Sequence, residues 1–312
     1  MSLQLGNQAK WKPWKGLVLF IITIVVIILG GILSEHIGLW GTLITQAVLL
    51  AMSIIVCLIN DTPFKEVFPI RKPTVRDIFG AILMWIGSYG IGLASIHLAG
   101  VLLPDRYSQV TGSLNTMLTK GGVLLAFFVA VICPPICEEA ITRGAILSHF
   151  RSFRKDYMTI LIIGIMFGAM HTDAIRFINT FLLGSVTAYL VVKRNNILLA
   201  SLVHFLQNFI TGGMQILMSA FSTANSSAAA VTSQPMPPVV YLGSAMTTLC
   251  FAPVCLVLGH HLIKRQVQIT KGEPKSGKLW PKLIIAIVLS LISLIIGLVL
   301  QNKYLPAYVQ VK

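Results

Sequence analysis

The stretch CPPICEEAITRGAILSHF, residues Cys133–Phe150, places Glu138, Glu139 and Arg143 inside a run that is otherwise apolar. The chain keeps charge out of such runs almost everywhere else. Only 11% of its residues are charged, against about 25% in ordinary soluble domains. Hydrophobic residues make up 55% and the mean hydropathy is +0.83. Several runs exceed the roughly 18 apolar residues that cross a bilayer. The short alternating strands of a closed β-barrel are absent. The composition therefore predicts an all-α, polytopic transmembrane helix bundle of about eight to nine spans. It forms one integral membrane domain over residues 1–312, with no soluble domain.

Nine runs stand out, at residues 17–34, 38–60, 78–103, 121–150, 157–172, 174–192, 197–220, 239–263 and 282–302. Thr172 and Asp173 alone separate the fifth from the sixth. With the N-terminus placed in the cytoplasm, alternation puts 18 Lys and Arg residues in inner segments and five in outer ones. The inner groups include Lys10, Lys12 and Lys15, then Lys65, Arg71, Lys72 and Arg76, then Arg151, Arg154 and Lys155. The outer five are Arg106, Lys120, Arg176, Lys303 and Lys312. This asymmetry is the positive-inside pattern. It predicts a multi-pass protein of the cell membrane with a cytoplasmic N-terminus. The run at 17–34 is too long for the apolar core of a signal peptide, so it reads as a retained span. Residues 222–238, uncharged and rich in Ser, Ala and Pro, read as a flexible external loop.

The net charge of +14 raises nucleic acid as a partner. The basic residues cluster at span ends, however, where orientation and lipid headgroups account for them. The lipid bilayer is the expected partner and nucleic acid is not. Cys57, Cys133, Cys137, Cys250 and Cys255 all lie in apolar runs and read as small buried hydrophobes. Their spacing suggests neither a disulfide framework nor a zinc ribbon.

Ionisable residues at membrane depth are costly and mark function. Glu138, Glu139 and Arg143 lie in the fourth run, His171 closes the fifth, and His204 and Asn208 lie in the seventh. At about 1.5 Å rise per residue, Glu138 sits roughly 18 Å above the inner end of its helix. The same measure puts His171 at about 21 Å, His204 at about 10 Å and Asn208 at about 16 Å. Tilt absorbs such differences, so these residues can share one layer of the bilayer if the helices pack together. Glu139 and Arg143 are four apart and can pair on one face. His204 and Asn208 are also four apart. Glu138 points about 100° away from Glu139, so one glutamate can be structural while the other faces a cavity. Pro134 and Pro135, one turn earlier, free backbone carbonyls and bend the helix. His97 reads as a satisfied helix-end histidine.

Two chemistries suit these side chains. A glutamate with a histidine can hold and deprotonate a water, while a second histidine and an asparagine donate to a developing oxyanion. Alternatively, Glu138, His171 and His204 can ligate Zn²⁺ with a water in the open position. The HExxH signature of zinc peptidases is absent, and spacing alone leaves both mechanisms open. A proton-coupled transporter would favour internal repeats and broken helices in both halves. No repeat is visible, and the Pro-Pro break occurs once.

The motifs as written are Glu138-Glu139-Ala-Ile-Thr-Arg143, Phe167-Gly-Ala-Met-His171 and His204-Phe-Leu-Gln-Asn208. In this order they resemble the EExxxR, FxxxH and HxxxN motifs of the CPBP intramembrane proteases. That family (CAAX proteases and bacteriocin-processing enzymes, also called Abi) includes the type II CAAX prenyl endopeptidases. The resemblance covers roughly residues 120–220 and makes them a catalytic core of four helices. Residues 1–103 and 239–302 are flanking spans without a signature. The resemblance implies that Glu138 activates water with His171 as its partner, and that His204 and Asn208 form the oxyanion site. Glu139 and Arg143 would shape the site or contact substrate. It also implies a glutamate mechanism without metal, although the family was long regarded as metallopeptidases. The expected substrate is a peptide or membrane protein, in a bacterial setting of peptide maturation, bacteriocin immunity or signalling. A non-catalytic membrane protein that binds a bacteriocin or a sensor kinase is the alternative.

Overall fold

Twenty or so apolar residues in lipid have no solvent partner for their backbone, so each run must close its own hydrogen bonds as a helix. The computed structural model describes residues 10–104, 122–222, 237–274 and 277–310. Every described element is helical. The helices are α1 (Pro13–Ile37), α2 (Leu39–Ile59), the single turn α3 (Phe64–Val67) and α4 (Val75–Leu102). They continue with α5 (Val123–Ile146), α6 (Asp156–Met170), α7 (Phe177–Arg194) and α8 (Ile197–Met218). Last come α9 (Pro238–Leu249), α10 (Ala252–Lys271) and α11 (Trp280–Gln310). The chain is an all-α polytopic membrane bundle.

Seven of these segments are long and apolar enough to cross a membrane, with α9 and α10 counting as one through Cys250 and Phe251. At 15 residues, α6 is shorter. Residues 223–236 of the expected loop at 222–238, and the expected outer residues Arg106, Lys120 and Lys312, lie outside the described residues.

The helices group into two compact units. One holds α1–α3, α5, α6, α7 from Gly184 onward and α8. The other holds α4, His171–Leu183 and α9–α11. In the first unit α5 is the central element. Its residues Ile141, Ala145, Ile146 and Leu147 are at most 1% exposed. They pack with Leu19 of α1, Leu49 of α2, Ile163 of α6, Ala188 and Val191 of α7, and Ala200 of α8. By contrast α1 turns Ile21, Ile22, Val25 and Leu29 outward, the composition of a lipid-facing surface.

Polar side chains fix the joints. Asn196 accepts from the Leu198 amide at 3.1 Å and donates to the Arg71 carbonyl at 2.8 Å. It thereby caps α8 and ties the chain before α4 to that end. Thr74 and Asp77 form a reciprocal capping box at the start of α4. The break between α6 and α7 also has a local cause. Thr172 takes a left-handed φ of 49°, and Asp173 Oδ1 accepts from the Ile175 and Arg176 amides at 2.9 and 3.3 Å.

In the second unit α4 packs along α9 and α10. The approach of α4 to α10 depends on Gly259. A Cβ there would lie 2.8 Å from the Gly80 carbonyl oxygen and 2.8 Å from the Met84 amide nitrogen, both backbone atoms that cannot rotate aside. Gly259→Val is therefore expected to force the two helices apart and cost about 1–3 kcal/mol. A thermal melt in detergent checks this; an unchanged Tm contradicts it.

Candidate active site

The site starts with a defect that the prolines impose on α5. Pro134 and Pro135 have no N–H, so the carbonyl of Ala130 loses its donor in both the i+4 and the i+5 register. Asn208 of α8 supplies the missing hydrogen, donating from Nδ2 to Ala130 O at 3.1 Å. Around the prolines α5 departs from α-helical winding. Wider π-helical turns at Phe128–Ile132 and Ala140–Ile146 flank an α segment at Cys133–Glu139. Such turns recur at functional sites.

The two glutamates on this segment have different surroundings. Glu139 is 0% exposed and makes two short contacts. Its Oε1 lies 3.2 Å from Arg143 Nη1 and 2.8 Å from His204 Nδ1. Arg143, also fully buried, donates Nη2 to the Gly184 carbonyl at 3.2 Å and Nη1 to the Thr142 hydroxyl. Its guanidinium stacks 4.1 Å over the Phe167 ring, a favourable cation–π arrangement. Phe167 in turn meets the His204 ring edge to face, with centroids 5.5 Å apart. A side chain at position 184 would collide with Phe167 Cβ at 2.7 Å. Glycine there lets α7 come close enough for its carbonyl to receive Arg143.

Glu138 keeps 15% of its side chain exposed. Its Oε1 accepts from Gln46 Nε2 of α2 at 2.8 Å, and its Oε2 lies 3.9 Å from His204 Nε2. That gap is too long for a direct hydrogen bond, but both atoms can lie about 2.8 Å from a single oxygen between them. The Nδ1 contact to Glu139 orients the imidazole and leaves Nε2 on the Glu138 side. The arrangement is a carboxylate–histidine pair that a second carboxylate holds in place.

The structure thus brings Glu138, Glu139, Arg143 and His204 together, with Asn208 one turn beyond His204 on the Ala130 carbonyl. His171 lies in the turn after α6, half-buried, in the second unit. Three contributors carried no signal in the sequence. Gln46 is one polar residue in an apolar run with no spacing partner. Gly184 acts through its carbonyl, and Thr142 through its hydroxyl to Arg143. Phe167 was visible only as a motif letter. Among the described residues no group of three or more His, Cys, Asp and Glu side chains is arranged to hold a metal ion. Two donors 3.9 Å apart would also meet a zinc ion at an angle far wider than tetrahedral, given bonds of about 2.0–2.2 Å.

Removing either half of the support should be expensive. Arg143→Met leaves Glu139 buried without its cation and is expected to destabilise the fold by about 3–5 kcal/mol. Asn208→Leu strands the Ala130 carbonyl and is expected to cost about 1–3 kcal/mol. Thermal melts in detergent measure both, and an Arg143→Met protein that melts like wild type contradicts the assignment.

Residues 120–210 match the family model described as type II CAAX prenyl endopeptidase Rce1-like. No curated protein and no solved structure matches the chain. The matched segment is less than a third of the 312 residues, yet it contains EExxxR, FxxxH and HxxxN in full. Its name is that of a protease family, and the apolar helices make the chain a multi-pass membrane protein. Over this segment the chain is similar to the type II CAAX prenyl endopeptidases, in line with the CAAX-protease motifs that its sequence carries.

Proposed function

We propose that the protein is an intramembrane endopeptidase that hydrolyses a peptide bond with a water activated by Glu138. The observation that carries this reading is the placement of His204 Nε2 at 3.9 Å from Glu138 Oε2, with Nδ1 anchored on Glu139. Glu138 takes a proton from the water as the oxygen attacks the substrate carbonyl carbon. The carbonyl electrons move to oxygen, and the oxyanion needs donors. Asn208 gives one amide hydrogen to Ala130 and has a second for this purpose. With Nδ1–H given to Glu139, the neutral His204 ring accepts a hydrogen from the same water at Nε2. As the intermediate collapses, Nε2 takes the remaining proton of the attacking hydroxyl, so that the acyl product leaves as a carboxylate, and the imidazolium then passes that proton on to the departing amine. Collapse of the intermediate breaks the C–N bond, and the proton on Glu138 passes to the leaving amine. The resemblance assigns His171 a part in activating the water. Glu139, Arg143 and Phe167 hold His204 in register.

The same reading gives a cell-membrane enzyme with a cytoplasmic N-terminus that acts on a peptide or a membrane protein. Bacterial peptide maturation, bacteriocin immunity and control of a signalling partner are the settings it fits.

Membrane-fraction proteomics of cells carrying wild type or Glu138→Ala tests the proposal. Loss of a general base should lower cleavage by about 10²- to 10⁴-fold, so uncleaved substrates accumulate in the variant. Identical peptide profiles, with a phenotype that survives substitution of Glu138, His171 and His204, would favour the non-catalytic binding reading. Cleavage by the purified protein is further expected to withstand 1,10-phenanthroline. Inhibition that added Zn²⁺ reverses would instead assign the chemistry to a metal.

A further inference from the structure

We infer that Gln46, on α2 and outside the segment that matches the protease family, is a positioning residue for Glu138. This rests on the proposed function. Gln46 is 6% exposed. It falls at helical spacing with Leu49 and Ser53, also buried, on the face of α2 that packs against α5. A lone glutamine on such a face is costly unless its amide is used. It is used once: Nε2 donates to Glu138 Oε1 at 2.8 Å. An ionised carboxylate only accepts, so the amide must present its nitrogen to it. With Oε1 engaged by Gln46, Oε2 is the atom left facing His204 Nε2. The amide therefore selects which carboxylate oxygen meets the water and fixes the side-chain torsion that aims it. The other end of the amide is the second observation. Gln46 Oε1 is buried with no hydrogen-bond partner. It is an acceptor beside the base, with capacity for an N–H of the scissile peptide.

This role differs from that of Glu139 and Arg143. Those residues hold His204; Gln46 holds the base. It comes from a helix in which the sequence shows no motif, and it binds that helix to the chemistry rather than to packing alone.

The test uses the full-length protein in detergent or nanodiscs and the isosteric Gln46→Met. Two quenched-fluorescence peptides serve as probes, one with a prenylated CAAX tail and one unmodified and apolar. The kcat is expected to fall about tenfold to a hundredfold, with KM within about twofold and Glu138→Ala as the zero. Infrared spectra read the contact without turnover: the carboxyl bands assigned to Glu138 by their loss in Glu138→Gln should shift in Gln46→Met. Bands that stay in place overturn the contact. Bands that shift while kcat per folded molecule stays at the wild-type level overturn the positioning role. Failure of wild type to cleave either probe in a Glu138-dependent way overturns the protease reading, and the catalytic part of this inference with it, while the infrared shift still reports the contact. Should Gln46→Met not fold, Gln46→Asn keeps the amide one methylene short of Glu138. It is expected to lower kcat in the same way.

Discussion

The structure of the site turns on one buried charge problem: Glu139 and Arg143, both without solvent exposure, must neutralise one another inside a helical bundle. Each ion alone would cost several kcal/mol to bury. Together, with His204 on one side and the Gly184 carbonyl on the other, they become a fixed polar post at the centre of the first unit. Phe167 closes the post by lying flat under the guanidinium and edge-on to the imidazole. Everything that orients His204 passes through it. The difference between the two adjacent glutamates follows from this. Glu139 is fully buried and engaged through Oε1 by Arg143 and His204, whereas Glu138 keeps part of its side chain exposed and is the carboxylate left to face a reacting group.

The second constraint is covalent. Two consecutive prolines in α5 remove the donors for one carbonyl, and the helix relaxes into wider turns on either side. A segment that is wound irregularly next to a glutamate pair costs stability. The cost is partly offset by the Asn208 amide and by the dense core around Ile141, Ala145 and Ile146. Stability is concentrated around the site, where α5 is enclosed by α1, α2, α6, α7 and α8, while the outer face of α1 is left to lipid.

How much of this was readable in advance follows from the physics of each signal. The spans were legible because a bilayer imposes a length and an apolar composition on every crossing segment. The Glu139–Arg143 contact was legible because four residues of separation bring two side chains onto one helix face. The prolines announced a freed carbonyl, but not which side chain would reach it. The partner of His204 was not legible. Whether it meets Glu138 or Glu139 depends on the rotation of α5, which π-helical turns alter from the ideal 100° per residue. Gln46 was invisible for another reason: a single amide in an apolar helix has no periodic companion, and its meaning lies in a contact 92 positions away. The match to a protease family reaches only the helices that carry the motifs, so it could not have pointed there either.

The tie between Asn208 and the Ala130 carbonyl also bears on descent. An amide at that place on α8 answers a need created by the prolines on α5, and the prolines are tolerable because the amide is there. Neither change is neutral alone, so a lineage that lost Pro134 and Pro135 would be released from keeping Asn208 for structural reasons. Only the oxyanion role proposed for it would then preserve it. Relatives in which the asparagine persists without the proline pair would separate these two reasons for its presence by natural experiment.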